Sequence, residues 1–325
     1  MRVAVTGGTG FVGAHSVRAL IDAGHEVRVL VHPSDSVDAA LTPLGVHLAD
    51  ADVVVGDVCD PSAVDRLLDR CDALLHGAGV VGVDDSREQL MWDVNVHATA
   101  MVLATAVAAG LDPIVHVASY AALYPSPTGV IGPDTPTASG RSAYGRTKAA
   151  ADRIARGFQA AGAPVVVTYP SSVVGPAAGE RRGVSADGWA PLLRFGVSVA
   201  FDGGMAMIDV RDVADVHAAI FTAGPGLGPR RYVCGGEMMA FDDVVDVLEQ
   251  ATGRRIRRVR VSPRAMRAVG HVADVAARVP LPFPPVLSSE AAILLTRPQP
   301  TDDSATLRDL GLTWRPVRAA LADSQ

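Results

Sequence analysis

Apolar positions open the chain in a strand pattern and then switch to helical spacing. Val3 and Val5 suit a buried strand. After Thr6 the chain turns through Gly7, Gly8 and Gly10, and Phe11, Val12, Val17, Leu20 and Ile21 recur at helical intervals. Further strands are predicted at 26–31, 52–58, 73–76, 114–118 and 165–168. Helices are predicted at 61–70, about 88–109, and from Ser142 to about 161. Alternation of this kind predicts an α/β fold built on a doubly wound parallel sheet. Residues 119–144 form a long stretch rich in Pro, Gly, Ser and Thr, of the sort usually functional inside compact domains. From 175 to 204 the pattern is irregular, with Arg181, Arg182 and Trp189, where a substrate-binding insertion would begin. Strands at 206–210 and 231–234 flank a helix at 213–222. Beyond residue 240 come a helix at 241–252, an Arg-rich segment with Ile256, Val259 and Val261 as its expected buried face, and shorter helices around the proline-rich run 280–285. The expected organisation is a Rossmann domain over 1–170, completed by about 206–235. A smaller C-terminal α/β substrate-binding region takes 171–205 and 236–325.

Composition narrows the class. With 325 residues, 49% hydrophobic and 20% charged, the chain is an ordinary globular protein with room for a large core. A net charge of −6 gives no general attraction to nucleic acid or anionic membranes. No signal-peptide pattern and no apolar run of membrane-spanning length is visible, so a cytoplasmic location without membrane partners is expected. Cys59, Cys71 and Cys234 are odd in number and lack metal or redox spacing. They are expected as small core residues, and no metal site is expected.

The chemistry begins at Gly8-x-Gly10-x-x-Gly13, placed between a strand and a helix. Glycines here let a pyrophosphate approach bare amides at the helix N-terminus. The end of the second strand bears on the choice of dinucleotide. Val31 stands where NAD readers place a carboxylate for the ribose 2′-OH, and His32 and Ser34 follow as donors for a 2′-phosphate. NADP(H) is therefore favoured, with NAD(H) possible if Asp35 bends back to the ribose. Asp57 and Val58 are placed to face an adenine. Small residues Gly77, Ala78 and Gly79 let the backbone pass close to the middle of the cofactor. Asn95 sits inside a helical pattern where Asn is unfavourable; an exposed or locally bonded side chain is the alternative to a functional one. Tyr144 and Lys148 share a helical face, so an ammonium can stabilise the phenolate. Ser119, at the C-terminal edge of the fifth strand, can hold a substrate oxygen.

Together, Thr6-Gly-Gly-Thr-Gly-Phe-Val-Gly13, Asp57, Asn95, Ser119 and Tyr144…Lys148 resemble the extended short-chain dehydrogenase/reductase family, of the epimerase/dehydratase type. The resemblance continues in Tyr169-Pro-Ser-Ser-Val-Val-Gly-Pro176, Asp209-Val-Arg-Asp-Val-Ala214 and Leu307–Leu321. It implies that Tyr144 is the acid/base, that Lys148 lowers its pKa and binds the nicotinamide ribose, that Ser119 positions substrate, and that Asn95 shapes the helix and a water path. It also implies cofactor contacts at Gly7, Gly10, Phe11, Val12, Gly13, Pro170 and Val173. Two departures stand out: Ala118-Ser119 where Ser-Ser is common, and Tyr169 where many members have Arg. Val173-Val-Gly-Pro176 and Asp209–His217 look most like the dihydroflavonol reductase and 3β-hydroxysteroid dehydrogenase branch. That branch transfers hydride between nicotinamide and carbonyl/alcohol pairs on rather hydrophobic small molecules. The alternatives are a nucleotide-sugar epimerase or dehydratase, for which the Arg-rich segment could supply cations, and a non-catalytic NADP-binding sensor. The resemblance is compatible with either a monomer or a homodimer.

Overall fold

The alternating pattern closes into one parallel sheet. The structure is a computed structural model that describes all residues except 48–49, 83–86, 277–287 and 325, so the proline-rich run 280–285 lies outside the described residues. The first half runs β1 (Arg2–Thr6), α1 (Phe11–Asp22), β2 (Glu26–Val31), α2 (Val37–Leu41), β3 (Ala51–Val55), α3 (Pro61–Leu68) and β4 (Ala73–His76). There follow α4 (Glu88–Trp92), a π-helical turn (Asp93–Ala98), α5 (Thr99–Ala108), β5 (Ile114–Val117), α6 (Ala143–Ala160) and β6 (Val165–Pro170). The second half runs β7 (Ser172–Val174), α7 (Val184–Phe195), β8 (Val197–Ala200), β9 (Gly204–Asp209), α8 (Val210–Ala223), β10 (Arg230–Cys234), β11 (Glu237–Ala240) and α9 (Phe241–Thr252). It ends with β12 (Arg257–Arg260), α10 (Pro263–Ala276), α11 (Ser289–Thr296), α12 (Ser304–Leu310) and α13 (Val317–Asp323).

Seven strands form the main sheet in the order β10-β6-β5-β4-β1-β2-β3, all neighbours parallel. Both faces are covered, which is why these strands read as apolar runs rather than as alternations. Val17, Leu20, Val213 and Ile220 of α1 and α8 cover one face. Leu67, Val102 and Ala155 of α3, α5 and α6 cover the other. The strand order reverses between β1 and β4, so their carboxyl ends diverge and open a crevice. A three-stranded sheet, β11-β9-β7, and the β12-β8 pair build the smaller part around Trp189, Phe201, Met207, Phe241 and Leu248. Of the 206–235 stretch, α8 and β10 thus pack with the main sheet, whereas β9 lies in the small one.

Several local expectations are corrected. The third strand stops at Val55, short of Asp57 and Val58. The helix expected over 88–109 is interrupted by the π turn that carries Asn95. Although Glu88–Ala108 is long and apolar enough to cross a membrane by length and composition, Val102, Leu103 and Ala106 pack in the core. The 175–204 stretch is not irregular throughout: it holds α7 and β8, disguised in sequence by Pro191 within the helix and by Gly188 and Gly196. Ile256 is buried but Val259 is 46% exposed, because β12 pairs with β8 alone and has no broad covered face. Cys71 and Cys234 are buried, whereas Cys59 is exposed, lying just past the end of β3.

Candidate active site

The glycine turn stands where β1 and β4 separate. Gly7 adopts φ +74°, and a Cβ there would lie 2.6 Å from the backbone of Gly77 and Ala78. A Cβ on Gly13 would lie 2.0 Å from the Gly7 carbonyl, so that glycine lets helix and turn touch. Gly10 differs: an added carbon would meet only Gly7 O, at 3.2 Å, and the remaining space is open. Gly10 also caps α1 in an extended conformation without a side-chain bond. The amides that begin α1 at Phe11, Val12 and Gly13 are therefore uncovered by any capping side chain, and a dinucleotide pyrophosphate fits this cradle. Thr6 fixes the opposite wall, accepting from Ala78 N at 3.2 Å and bonding His76 Nδ1 at 2.8 Å. Burial pulls His76 down to about 3, so it stays neutral between Thr6 and Thr99.

At the end of β2 the side chain that faces outward is His32, not Val31, which is 3% exposed and packed in the core. His32 Nδ1 bonds Ser34 Oγ at 2.7 Å, and its Nε2 lies 3.8 Å from Asp57 Oδ2. Asp57 in turn accepts from Cys59 N, which turns the chain away from β3 and brings half-buried Val58 beside it. Asp35 points towards the glycine turn, accepting from Thr9 Oγ1 at 2.8 Å and from Arg181 Nη2 at 3.1 Å.

The residues expected to carry the reaction meet at the carboxyl ends of β4 and β5. Ser119, 9% exposed, lies just beyond β5 and faces the Tyr144 phenol. Its Oγ accepts from Ala121 N at 3.2 Å. Ser142 caps α6, as expected, and places Tyr144 in the first turn and Lys148 one turn later. Lys148, the only lysine in the chain, donates from Nζ to Val117 O at 3.2 Å. Burial dominates both titrating groups. It raises the Tyr144 phenol, with the Glu290 charge adding to the rise and the Ser119 hydroxyl opposing it. It lowers Lys148 to about 8, against the pull of Asp152. Asn95 is neither exposed nor locally bonded. It accepts from Val80 N at 2.7 Å, and donates to Val80 O at 3.0 Å and Thr147 Oγ1 at 3.2 Å. The π turn thus ties the loop after Gly79 to the helix of Tyr144, as such bulges often do at functional sites. Pro170 ends β6 in the core, and Val173 is half-buried on β7.

Three contacts were not readable in the sequence because the partners are far apart along the chain. His15 Nε2 bonds Pro176 O at 3.0 Å, holding the segment after β7 onto α1. Arg181 crosses to Asp35. Glu290, on α11, accepts from Ser142 N at the start of α6. Tyr169, the departure from the common Arg, turns away from the site: its hydroxyl donates to Asp152 Oδ1 at 2.6 Å and accepts from Arg156 at 3.2 Å. Among the described residues no group of three or more His, Cys, Asp or Glu side chains could hold a metal ion.

This geometry agrees with comparisons to known proteins. The profile of the NAD dependent epimerase/dehydratase family matches residues 3–235. Sterol demethylase protein B of Methylococcus capsulatus is 30% identical over 337 residues, covering 100% of this chain and 97% of that protein. A provisionally named dihydroflavonol 4-reductase of Synechocystis sp. is 27% identical, covering 98% of this chain and 92% of that protein. UDP-glucose 4-epimerase of Bifidobacterium longum, solved with NAD+ and UDP, superposes with a TM-score of 0.76 at 20% identity, covering 100% of this chain and 96% of that one. The chain belongs to the NAD-dependent epimerase/dehydratase family and is an enzyme of the extended short-chain dehydrogenase/reductase type.

Proposed function

We propose that the protein transfers hydride between a nicotinamide dinucleotide, NADP(H) in preference to NAD(H), and a ketone or aldehyde–alcohol pair on a fairly hydrophobic small molecule. The observation that carries this reading is Ser119, Tyr144 and Lys148 gathered beside an apolar wall. One residue beyond Ser119, buried Tyr120 packs with Tyr124, Met205, Ala206, Leu294 and Pro298 with no room for water between them, while the Gln299 amide is tied to the Ser126 backbone. A nicotinamide dinucleotide held in the glycine cradle supplies or accepts the hydride. Ser119 and Tyr144 hold the substrate oxygen by hydrogen bonds. In reduction Tyr144 gives its hydroxyl proton to that oxygen, and in oxidation it takes one back. Lys148, as an ammonium, favours the phenolate that this transfer leaves. Apolar packing so close to Ser119 in the chain suits a steroid-like or aromatic carbonyl compound better than a sugar.

The Arg-rich segment gives little support to a diphosphate-bearing substrate. Arg258 is committed to Asp246 and to Glu249, and Arg254 donates to Leu193 O at 3.1 Å, on the β12-β8 side of the smaller part. A turnover screen with NADPH and NADH over ketones, aldehydes, steroids and sugar nucleotides tests the proposal. Reduction of apolar carbonyl compounds with NADPH is expected. Turnover confined to sugar nucleotides overturns it, as does binding of NADP(H) with no turnover anywhere in the panel.

A further inference from the structure

The segment after β7 lies on the cofactor half of the molecule rather than on its own. Pro176 is held by His15 of α1. Residues 178 and 181 close a small antiparallel turn through paired amides and carbonyls. At its tip Gly179, with φ +60°, approaches α2 so closely that a Cβ would lie 2.2 Å from Ala39 O. Gly183, with φ +80°, lies against the Phe11 ring, where a Cβ would meet the ring at 2.6 Å. The turn is thus seated at three points around the dinucleotide mouth, and it brings the guanidinium of Arg181 there. Its Nη2 lies 3.1 Å from Asp35 Oδ1, while Asp35 Oδ2 accepts from Thr9 in the glycine turn.

We propose that Arg181 takes the 2′-phosphate of the dinucleotide and that Asp35 holds it in place until that phosphate arrives. The inference rests on the NADP(H) preference argued above and names the residue responsible for it. The Asp35 ion pair suits a temporary hold. Arg181 is 53% exposed and Asp35 26%, and exposed pairs of this kind bind weakly. A guanidinium matches a phosphate through two parallel hydrogen bonds, which an imidazole cannot offer. His32, the donor expected from the sequence, already shares its Nδ1 with Ser34 and faces the Asp57 carboxylate. Arg181 therefore supplies what the end of β2 lacks. It comes from the smaller part of the molecule, so cofactor choice is set partly from the substrate side.

The test compares dissociation constants for NADPH, NADH, 2′,5′-ADP and 5′-AMP in the unmodified protein, Arg181→Gln and Asp35→Asn, at fixed ionic strength. Arg181→Gln should weaken NADPH and 2′,5′-ADP by about tenfold or more, the scale of one charge-assisted contact. It should change NADH and 5′-AMP less than about twofold. Asp35→Asn should tighten 2′,5′-ADP, because it releases the guanidinium and removes a repelling charge. Unfolding of the ligand-free variants is measured alongside, and midpoints close to that of the unmodified protein show that the turn still folds. Unchanged NADPH affinity in Arg181→Gln, or an equal loss for NADPH and NADH, overturns the assignment. If the unmodified protein binds NADH tighter than NADPH, the preference reading fails. Arg181 is then judged on 2′,5′-ADP against 5′-AMP alone.

Discussion

The carboxylate of Glu290 occupies the space that a side chain on Gly145 would need: a Cβ there would lie 2.5 Å from Oε1. A residue from the C-terminal part is thereby seated on the first turn of α6, beside Tyr144. Gly145→Ala should be stabilising on helix propensity alone, by up to about 1 kcal/mol. We expect the reverse here, a loss of up to about 1 kcal/mol, because the Glu290 carboxylate must swing aside and give up its bond from Ser142 N. In a Glu290→Ala background the same change should become neutral or favourable. A double-mutant cycle by chemical denaturation reads the coupling, and additive effects would refute the contact.

Two glycines of the fingerprint should fail differently. Gly13→Val drives a side chain into the Gly7 carbonyl, so the loss should show as lower stability of the ligand-free protein. Gly10→Val meets nothing closer than 3.2 Å in the chain and should leave a folded protein that no longer binds dinucleotide. Thermal unfolding and NADPH titration of both variants separate the two. Normal NADPH binding by folded Gly10→Val would contradict the cradle.

Tyr144→Phe should cut turnover by about 10²-fold or more, the scale of losing a general acid, while NADPH affinity stays within about twofold. Near-normal activity would remove Tyr144 from the mechanism. Lys148→Ala should lose cofactor affinity as well as turnover, as expected of a residue that also binds ribose.

Lys148 adds a pH dependence with a definite sign. Folding lowers it to about 8 from 10.5, so between those values the unfolded chain binds the extra proton. Its burial cost is therefore greatest below pH 8, and stability recovers as pH rises towards 10.5. Lys148→Met should stabilise the ligand-free protein at pH 7 by about 1–3 kcal/mol, an advantage that shrinks by pH 10. Denaturation curves at both values check this, and equal stabilities at pH 7 would contradict it. The kcat/KM of the unmodified enzyme should fall on the alkaline side near pH 8, where Lys148 loses its charge.

At the end of β2 the position to probe is His32 rather than Val31, because Val31 is in the core. His32→Asp should favour NADH by placing a carboxylate where a ribose 2′-OH can donate, and His32→Arg should favour NADPH further. Paired NADH and NADPH dissociation constants decide it. A preference that does not move in His32→Asp would show that this strand end does not read the ribose.

The sheet was legible because its information is local. The apolar runs of β1, β2, β4, β5 and β6, the Ser142 cap and the glycine turn each specify their own structure. Tyr144 and Lys148 stood out as a pair at helical spacing, and Ser119 as a hydroxyl at the end of a strand. What stayed hidden depends on partners distant in sequence. The seat of Glu290 at Gly145, the bond from His15 to Pro176 and the pair Arg181–Asp35 join residues 145, 161 and 146 positions apart. The π turn at Asn95 was hidden for another reason, since one extra residue in a turn leaves the apolar pattern almost unchanged. At α7, Pro191 and neighbouring glycines lowered local propensity that tertiary packing of Trp189 against Phe241 overrides.

That the chain's sole lysine lies in the candidate active site makes it a selective target for amine labelling. Every other cationic side chain of fixed charge is an arginine, inert to amine chemistry, so reductive methylation has only Lys148 and the N-terminal amine to modify. With its ammonium lowered to about 8, Lys148 presents free amine at lower pH than an ordinary lysine, while its 8% exposure restricts access to small reagents. Dinucleotide in the cradle should shield it. The mass of a single peptide, with and without ligand, then reports occupancy of the active site directly, with no substrate in hand.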